Sequence, residues 1–361
     1  MKKNYTLLLL LVVSICFAQI PNGYYTAATG TGYQLKTQLH NIITNNYNDR
    51  GYAGLYITYL TSDKDFYYEN NGTMLDMYTE NPNGPECEFT YGVNQDDGSL
   101  GEAECERYNR EHLVPQSVFG NGTLPMYADA HFVVPSDKYV NAQRGNYPFS
   151  RVNSITNTFS NGSLKGNNLN TGYSAGYLGT VFEPIDEFKG DIARMLLYFA
   201  TRYEDQVANW NFSMFNNTSN QVFTSQAINV LLTWCALDPV SNREIARNNA
   251  IYARQNNRNP FIDRPEFALQ IWGSLLNTNE YLLESNVTVV PNPSLDGRFT
   301  VTITTPVDAV YVTNISGQVV QYYSKPEALD NHIEISNISK GFYFITIESN
   351  SQKVTKKIIV N

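Results

Sequence analysis

The spacing of apolar residues changes partway along the chain, and that change limits what the chain can fold into. Over Asp186 to Glu204, Phe188, Ile192, Met195, Leu196, Phe199 and Tyr203 recur at three- and four-residue steps, the spacing of one helical face. From Ser285 onward the period falls to two. Gly297-Arg298-Phe299-Thr300-Val301-Thr302-Ile303 alternates, and turn signals separate further short runs at Val310 to Ile315, Gln318 to Tyr323, His332 to Ile335, Gly341 to Ile347 and Val354 to Val360. One core face cannot serve both periods. The chain is therefore expected to divide into a mixed α+β domain over 32–284 and a small all-β sandwich over 285–361.

Within the first domain, Leu35, Leu39, Ile42 and Ile43 predict an amphipathic helix over 32–47. Tyr52 to Thr61 and Asp65 to Tyr68 are rich in β-formers and predict strands. Residues 70–106 (Gly, Pro, Asn) read as long loops, and 151–182 (Asn, Ser, Gly, Thr) read as irregular. Helices are expected over Gln226 to Ala236, Asn242 to Gln255 and Pro265 to Gly273, with Asp238-Pro239-Val240-Ser241 as a stop-and-start signal.

The N-terminus reads as a targeting segment. Met1-Lys2-Lys3 is basic, Leu7 to Ile15 is apolar, and Cys16-Phe17-Ala18 offers a cleavage site before Gln19. Residues 1–18 are then a signal peptide and 19–31 a lead-in. The apolar run is too short to span a bilayer, and Ile15 stands where a lipoprotein signal wants a small residue. The mature chain is expected to be exported, without a membrane span, and monomeric. In an oxidising compartment Cys87 and Cys105 are the natural disulfide, which stabilises by about 3 kcal/mol in the chain-entropy picture. Cys235, in an apolar helical run, reads as an inert thiol, and the absence of a C-x-x-C pair argues against structural zinc.

The net charge of −9 argues against a nonspecific nucleic-acid binder. It is unevenly placed, however. Asp63 to Glu106 is acidic with Lys64 as its only base, while arginines accumulate later, so a local basic groove stays open. Asn94-Gln95-Asp96-Asp97-Gly98 departs from calcium-loop spacing and reads as a solvated acidic turn.

The chemistry concentrates between Tyr108 and Phe149, which holds a Glu111-His112 pair, His131, Asn141 and Arg144. These are the parts of a one-metal phosphodiesterase: an imidazole to take a proton, oxygen ligands for a hard cation, a guanidinium for phosphate. Neighbours on a regular strand face opposite sides, so Glu111 and His112 must sit at a strand end or distortion for both to reach one site. Arg144 lies one helical turn past Asn141 and faces the same side. A phosphate clamp and a structural ion pair both fit it. His131, beside Phe132, Val133 and Val134, suits a hydrogen-bonded structural role.

This stretch resembles the bacterial endonuclease I family, secreted nonspecific nucleases of the His-Me finger (ββα-metal) class. The residues that carry the resemblance are Tyr108-Asn109-Arg110-Glu111-His112, Pro115-Gln116-Ser117, Pro125-Met126-Tyr127-Ala128-Asp129, His131, Pro135-Ser136-Asp137, Val140-Asn141 and Arg144-Gly145-Asn146-Tyr147-Pro148-Phe149. It continues through Phe188-Lys189-Gly190-Asp191, Asp238-Pro239-Val240 and Asn257-Arg258-Asn259-Pro260-Phe261-Ile262-Asp263, and covers about 32 to 275. Val114, Val118 and Ala130 stand where members often carry Trp, Trp and Leu, which are packing positions. The resemblance implies a His-Me finger domain with additional helices. It makes His112 the general base, with Arg144 beside it, and Glu111 and Asn141 the ligands of Mg2+, with Mn2+ or Ca2+ as substitutes. The implied reaction is metal-dependent cleavage of DNA, and of RNA as a further substrate, giving 5′-phosphate ends. Asp129 and Asp137 are the next candidate ligands.

The C-terminal module resembles the sorting domain of type IX secretion cargo through Val290-Pro291-Asn292-Pro293, Gly297-Arg298-Phe299, Gly317, Gly341-Phe342-Tyr343 and Lys356-Lys357-Ile358-Ile359-Val360. That implies the type IX machinery as a partner and a secreted or cell-surface destination. The competing class is a non-enzymatic secreted protein, a calcium-stabilised adhesin for instance, which leaves the Glu111-His112 and Asn141 arrangement without a purpose.

Overall fold

A computed structural model describes residues 20–275, apart from 100, and 287–361, apart from 304, 330, 350 and 351. The expected signal peptide, its cleavage point and the boundary at Ser285 lie outside the described residues.

Two helices begin the described chain, α1 (Gly32–Thr44) and α2 (Gly51–Ser62). The described part of 63–107 forms turns and isolated bridges, with Met74 bridging both Lys64 and Phe89. Then come β1 (Tyr108–His112), α3 (Gln116–Phe119), β2 (Val133–Asp137) and α4 (Lys138–Arg144). A sheet follows: β3 (Val152–Thr158), β4 (Leu164–Asn168) and β5 (Thr180–Glu183), in that order. Next are α5 (Lys189–Arg202), α6 (Ser225–Leu237), α7 (Asn242–Gln255), α8 (Pro260–Asp263) and α9 (Glu266–Trp272). Helix α5 is buried along its whole length, packed by α1 and α6. It is the centre of an apolar core that runs from Leu35 to Trp272.

The helices predicted from periodicity form, and their ends follow capping chemistry. Ser241 and Glu244 make a reciprocal capping box at α7, and Thr224 accepts from the Ala227 amide at α6. Two expectations fail. Tyr52 to Thr61 is helix α2, not a strand. Its Tyr, Ile and Thr residues favour strands, but Leu55, Tyr56, Tyr59 and Ser62 place a buried stripe at helical spacing. Packing of that stripe against α7 and β2 overrides local preference. The Thr58 and Ser62 hydroxyls bond carbonyls four residues back, so neither is left unpaired. Asp65 to Tyr68 is likewise no strand. It is a turn in which Asp65 Oδ1 accepts from the Tyr67 and Tyr68 amides.

The region 151–182 is more ordered than its composition suggests. Its β3–β4–β5 meander hides from a periodicity reading because β3 is mostly solvent-facing and two bulges shift the β3–β4 register. Gly166 belongs to the pairing: a Cβ there would lie 2.1 Å from the Ser154 carbonyl oxygen. Cys87 and Cys105 form the expected disulfide. The Cys235 thiol is half-buried, and burial pushes its pKa up to about 12.

The C-terminal region holds β6 (Thr288–Val290), β7 (Phe299–Thr302), β8 (Ala309–Asn314), β9 (Val319–Ser324), β10 (His332–Ile335), β11 (Gly341–Ser349) and β12 (Gln352–Val360). They form two antiparallel sheets, β10-β7-β6 and β12-β11-β8-β9. The sheets share a second core that includes Phe299, Val301, Val312, Ile335, Ile345 and Ile358. The molecule is thus mixed α and β in its first part and all-β in its last, as the change of period requires.

Candidate active site

Strands β1 and β2 pair antiparallel, with Glu111 opposite Val134 and His112 opposite Val133, and α4 follows β2 directly. The Asp137 side chain caps α4 by accepting from the Val140 amide. His112 is the last residue of β1, so the Glu-His pair does sit at a strand end. Glu111, His112, Asn141 and Arg144 line one cleft of about 490 Å3.

His112 is 4% exposed. Its Nε2 lies 3.1 Å from the Tyr127 carbonyl oxygen. A carbonyl only accepts, so Nε2 carries the proton and the lone pair stays on Nδ1. Tyr52 and Tyr127 stack on the ring at 5.9 and 5.4 Å, and Phe119 and Phe132 close other sides. Burial, aided by the Arg110 and Arg144 charges, lowers the imidazole to about 4. At neutral pH it is uncharged and able to accept a proton.

Glu111 is held on one oxygen. Arg144 Nη1 lies 2.9 Å from Oε1, and the Tyr78 hydroxyl donates to the same atom at 3.0 Å. Neither contact engages Oε2. Burial raises the Glu111 carboxyl above its ordinary range, while Arg144 and Tyr78 oppose the rise. Asn141 Nδ2 donates to Asn109 Oδ1 at 2.7 Å, which fixes the amide and leaves Asn141 Oδ1 as its ligand atom. One carboxylate oxygen and one amide oxygen on a shared cleft fit a hard cation that keeps most of its waters, as Mg2+ does. Among the described residues, no second carboxylate, Cys or second His completes a cluster of three there.

Arg144 is fully buried. Besides Glu111 it donates to the His112 and Leu113 carbonyls, and it lies 4.6 Å from the Phe149 ring centroid. These contacts favour the structural ion pair over the phosphate clamp. Arg110 is the more accessible cation: it is half-buried, lines the cleft, and stacks 3.5 Å from the Tyr52 ring centroid.

The reserve ligands and His131 lie elsewhere. Asp129 accepts from Tyr198, Tyr203, Gln255 and the His131 amide, and Asp137 is absorbed by the α4 cap and the Cys105 amide. His131 is buried, with Nε2 3.0 Å from the Asn257 carbonyl. Lys189, Asp191, Arg258 and Asn259 belong to buried pairings: Lys189 with Glu183, Asp191 with Arg243, Arg258 with Asp263, and Asn259 with Asn248 and the Arg194 carbonyl. Sequence reasoning missed Asn109, Arg110, Tyr52 and Tyr78. Strand alternation from Glu111 points back to Asn109. No local signal marks Tyr78, which arrives from a segment without regular structure.

Comparisons with known proteins identify the family. The endonuclease I family profile matches residues 31–266, and a secretion system C-terminal sorting domain profile matches residues 288–361. Extracellular ribonucleases of Bacillus amyloliquefaciens and Bacillus subtilis are each 35% identical over 254 residues, which cover 69% of this chain and 78% of theirs. Among solved structures, PorZ, a surface component of the type IX secretion system of Porphyromonas gingivalis, aligns with 24% of this chain and 13% of its own. Its identity of 15% and TM-score of 0.20 support no argument. The sorting domain places the protein outside the cell or at its surface, and the match over 31–266 sets the non-enzymatic reading aside. The chain is a nuclease and belongs to the endonuclease I family.

Proposed function

We propose that this protein is a divalent-metal-dependent endonuclease that cleaves DNA and RNA with weak sequence preference, through a His-Me finger built from β1, β2 and α4. What carries the reading is His112: a neutral imidazole with Nε2 tied to the Tyr127 carbonyl and Nδ1 free, in the cleft that Glu111 and Asn141 share. The two Bacillus relatives are extracellular ribonucleases, which favours RNA as one substrate.

In this reading His112 Nδ1 takes a proton from the attacking water, which displaces the 3′ oxygen in line; that oxygen leaves as a hydroxyl with a proton from solvent, and a 5′-phosphate remains. Glu111 and Asn141 hold a divalent cation, Mg2+ or Mn2+, which when bound supplies positive charge for the phosphoryl and departing oxygens. Arg144 and Tyr78 hold the Glu111 carboxylate. Arg110 and the polar rim at Gln116, Ser117 and Asn146 contact the nucleic-acid backbone rather than base edges. The catalytic domain is assigned to 32–284 and the sorting domain to 285–361, acting as a monomer exported by type IX machinery after loss of residues 1–18.

The test is nicking of supercoiled plasmid and cleavage of structured RNA, with and without chelator. Chelation should abolish both and Mg2+ restore them. His112→Ala should cost about a hundredfold or more with unchanged circular dichroism. Retention of more than about a tenth of the rate would remove His112 as the base.

A further inference from the structure

Away from the cleft, Asp65, Glu69 and Glu80 each offer a carboxylate oxygen, and these atoms lie within 4.8 Å of one another. Proximity of acids alone would mean little. What singles this group out is burial without partners. Asp65 is 0% and Glu80 1% exposed, and Asp65 Oδ2 and both Glu80 oxygens are buried with no hydrogen-bond donor. Buried carboxylates almost always find a donor or a cation, because an unpaired one keeps its full desolvation penalty.

Among the described residues, no base fills the gap. Lys64, the neighbouring cation in sequence, donates instead to the Gly72 carbonyl at 2.6 Å. Arg243, whose charge reaches the adjacent Tyr68, is engaged by Asp191. Glu86 adds a fourth carboxylate, close enough to share a hydrogen bond with Glu80 when one of the two is protonated, and it brings acceptor oxygens rather than a positive charge. Asp65 Oδ1 is anchored by the Tyr67 and Tyr68 amides, which leaves Oδ2 for the cluster.

We propose that Asp65, Glu69 and Glu80, with Glu86 beside them, form a calcium site separate from the Glu111–Asn141 cleft. An all-carboxylate set from a flexible-spaced loop suits Ca2+, which accepts six to eight oxygens at about 2.3–2.6 Å. Mg2+ gives up its water reluctantly, and Zn2+ favours nitrogen and sulfur donors. The ion cross-links a segment that lacks helix and sheet support and is otherwise braced by the Cys87–Cys105 disulfide. That same segment delivers Tyr78 to Glu111 and Asp76 to the Asp137 amide at 2.8 Å. Calcium therefore positions the catalytic carboxylate through Tyr78 without touching substrate.

The experiment uses the full mature chain, stripped with chelator, and calcium alone as probe. Calorimetry on Glu111→Ala, whose cleft ligand is gone, should still find one Ca2+ per chain, and Ca2+ should raise Tm by roughly 5 °C at saturation. Glu80→Gln should lose both effects. The exposed Glu69→Gln, which has no packing role to lose, should fold and bind at least about tenfold more weakly. Unchanged calcium affinity in Glu69→Gln and Glu80→Gln, or no calcium bound by Glu111→Ala that keeps the wild-type circular dichroism, would overturn the site. Nuclease activity of wild type in Mg2+ is read separately, so failure of this proposal is distinguishable from failure of the proposed reaction.

Discussion

Arg144 shows how much one residue's meaning depends on where its donors go. Its position one turn past Asn141 allowed either substrate contact or internal pairing. The fold gives its guanidinium to Glu111 Oε1 and to two carbonyls of the β1 end. A buried ion pair is weak support for stability, but removing one partner leaves an uncompensated charge. Arg144→Gln should therefore destabilise the protein by about 3 kcal/mol and lower Tm by roughly 6–12 °C. A thermal melt read beside KM decides the matter: a phosphate clamp would instead raise KM with Tm near wild type.

Elements are decided by which face finds a partner. Helix α2 carries strand-favouring residues, yet it is helical because its Leu55–Tyr59–Ser62 stripe packs on α7 and β2. The β3–β4–β5 sheet forms from Asn-, Ser- and Thr-rich sequence because main-chain pairing needs no apolar signal. Gly166 is where that pairing is tightest. Gly166→Ala would put a methyl 2.1 Å from the Ser154 carbonyl oxygen, so the strands must part. The expected cost is about 1–3 kcal/mol, read as a fall in Tm of a few degrees. An unchanged melt would mean that the strands can separate without loss.

Among the described residues there are two apolar cores, one running from Leu35 to Trp272 and one from Val287 to Val360. Every residue assigned to the cleft lies within the stretch of chain that the first core spans. A chain ending at residue 284 should fold and cleave plasmid within about twofold of the full protein, since domains with their own cores generally fold alone. Loss of activity in a demonstrably folded truncation would mean that the β region completes the site.

Legible in the order of residues were the helices with clear 3.6-residue spacing, the all-β character of the C-terminal region, the Cys87–Cys105 bond and the grouping of Glu111, His112 and Asn141. These follow from local periodicity, cysteine chemistry and motif, which need no knowledge of distant partners. Packing in three dimensions settles that α2 is a helix, that 151–182 holds a sheet, that Arg144 is bound internally and that Tyr78 reaches Glu111. The same holds for Asp65, Glu69 and Glu80, whose convergence the loop spacing does not announce. For α2, Arg144 and Tyr78 the deciding energy is a contact between residues far apart in the chain, and burial gives that contact its weight, whereas the sheet and the carboxylates converge across short loops whose path no local pattern specifies.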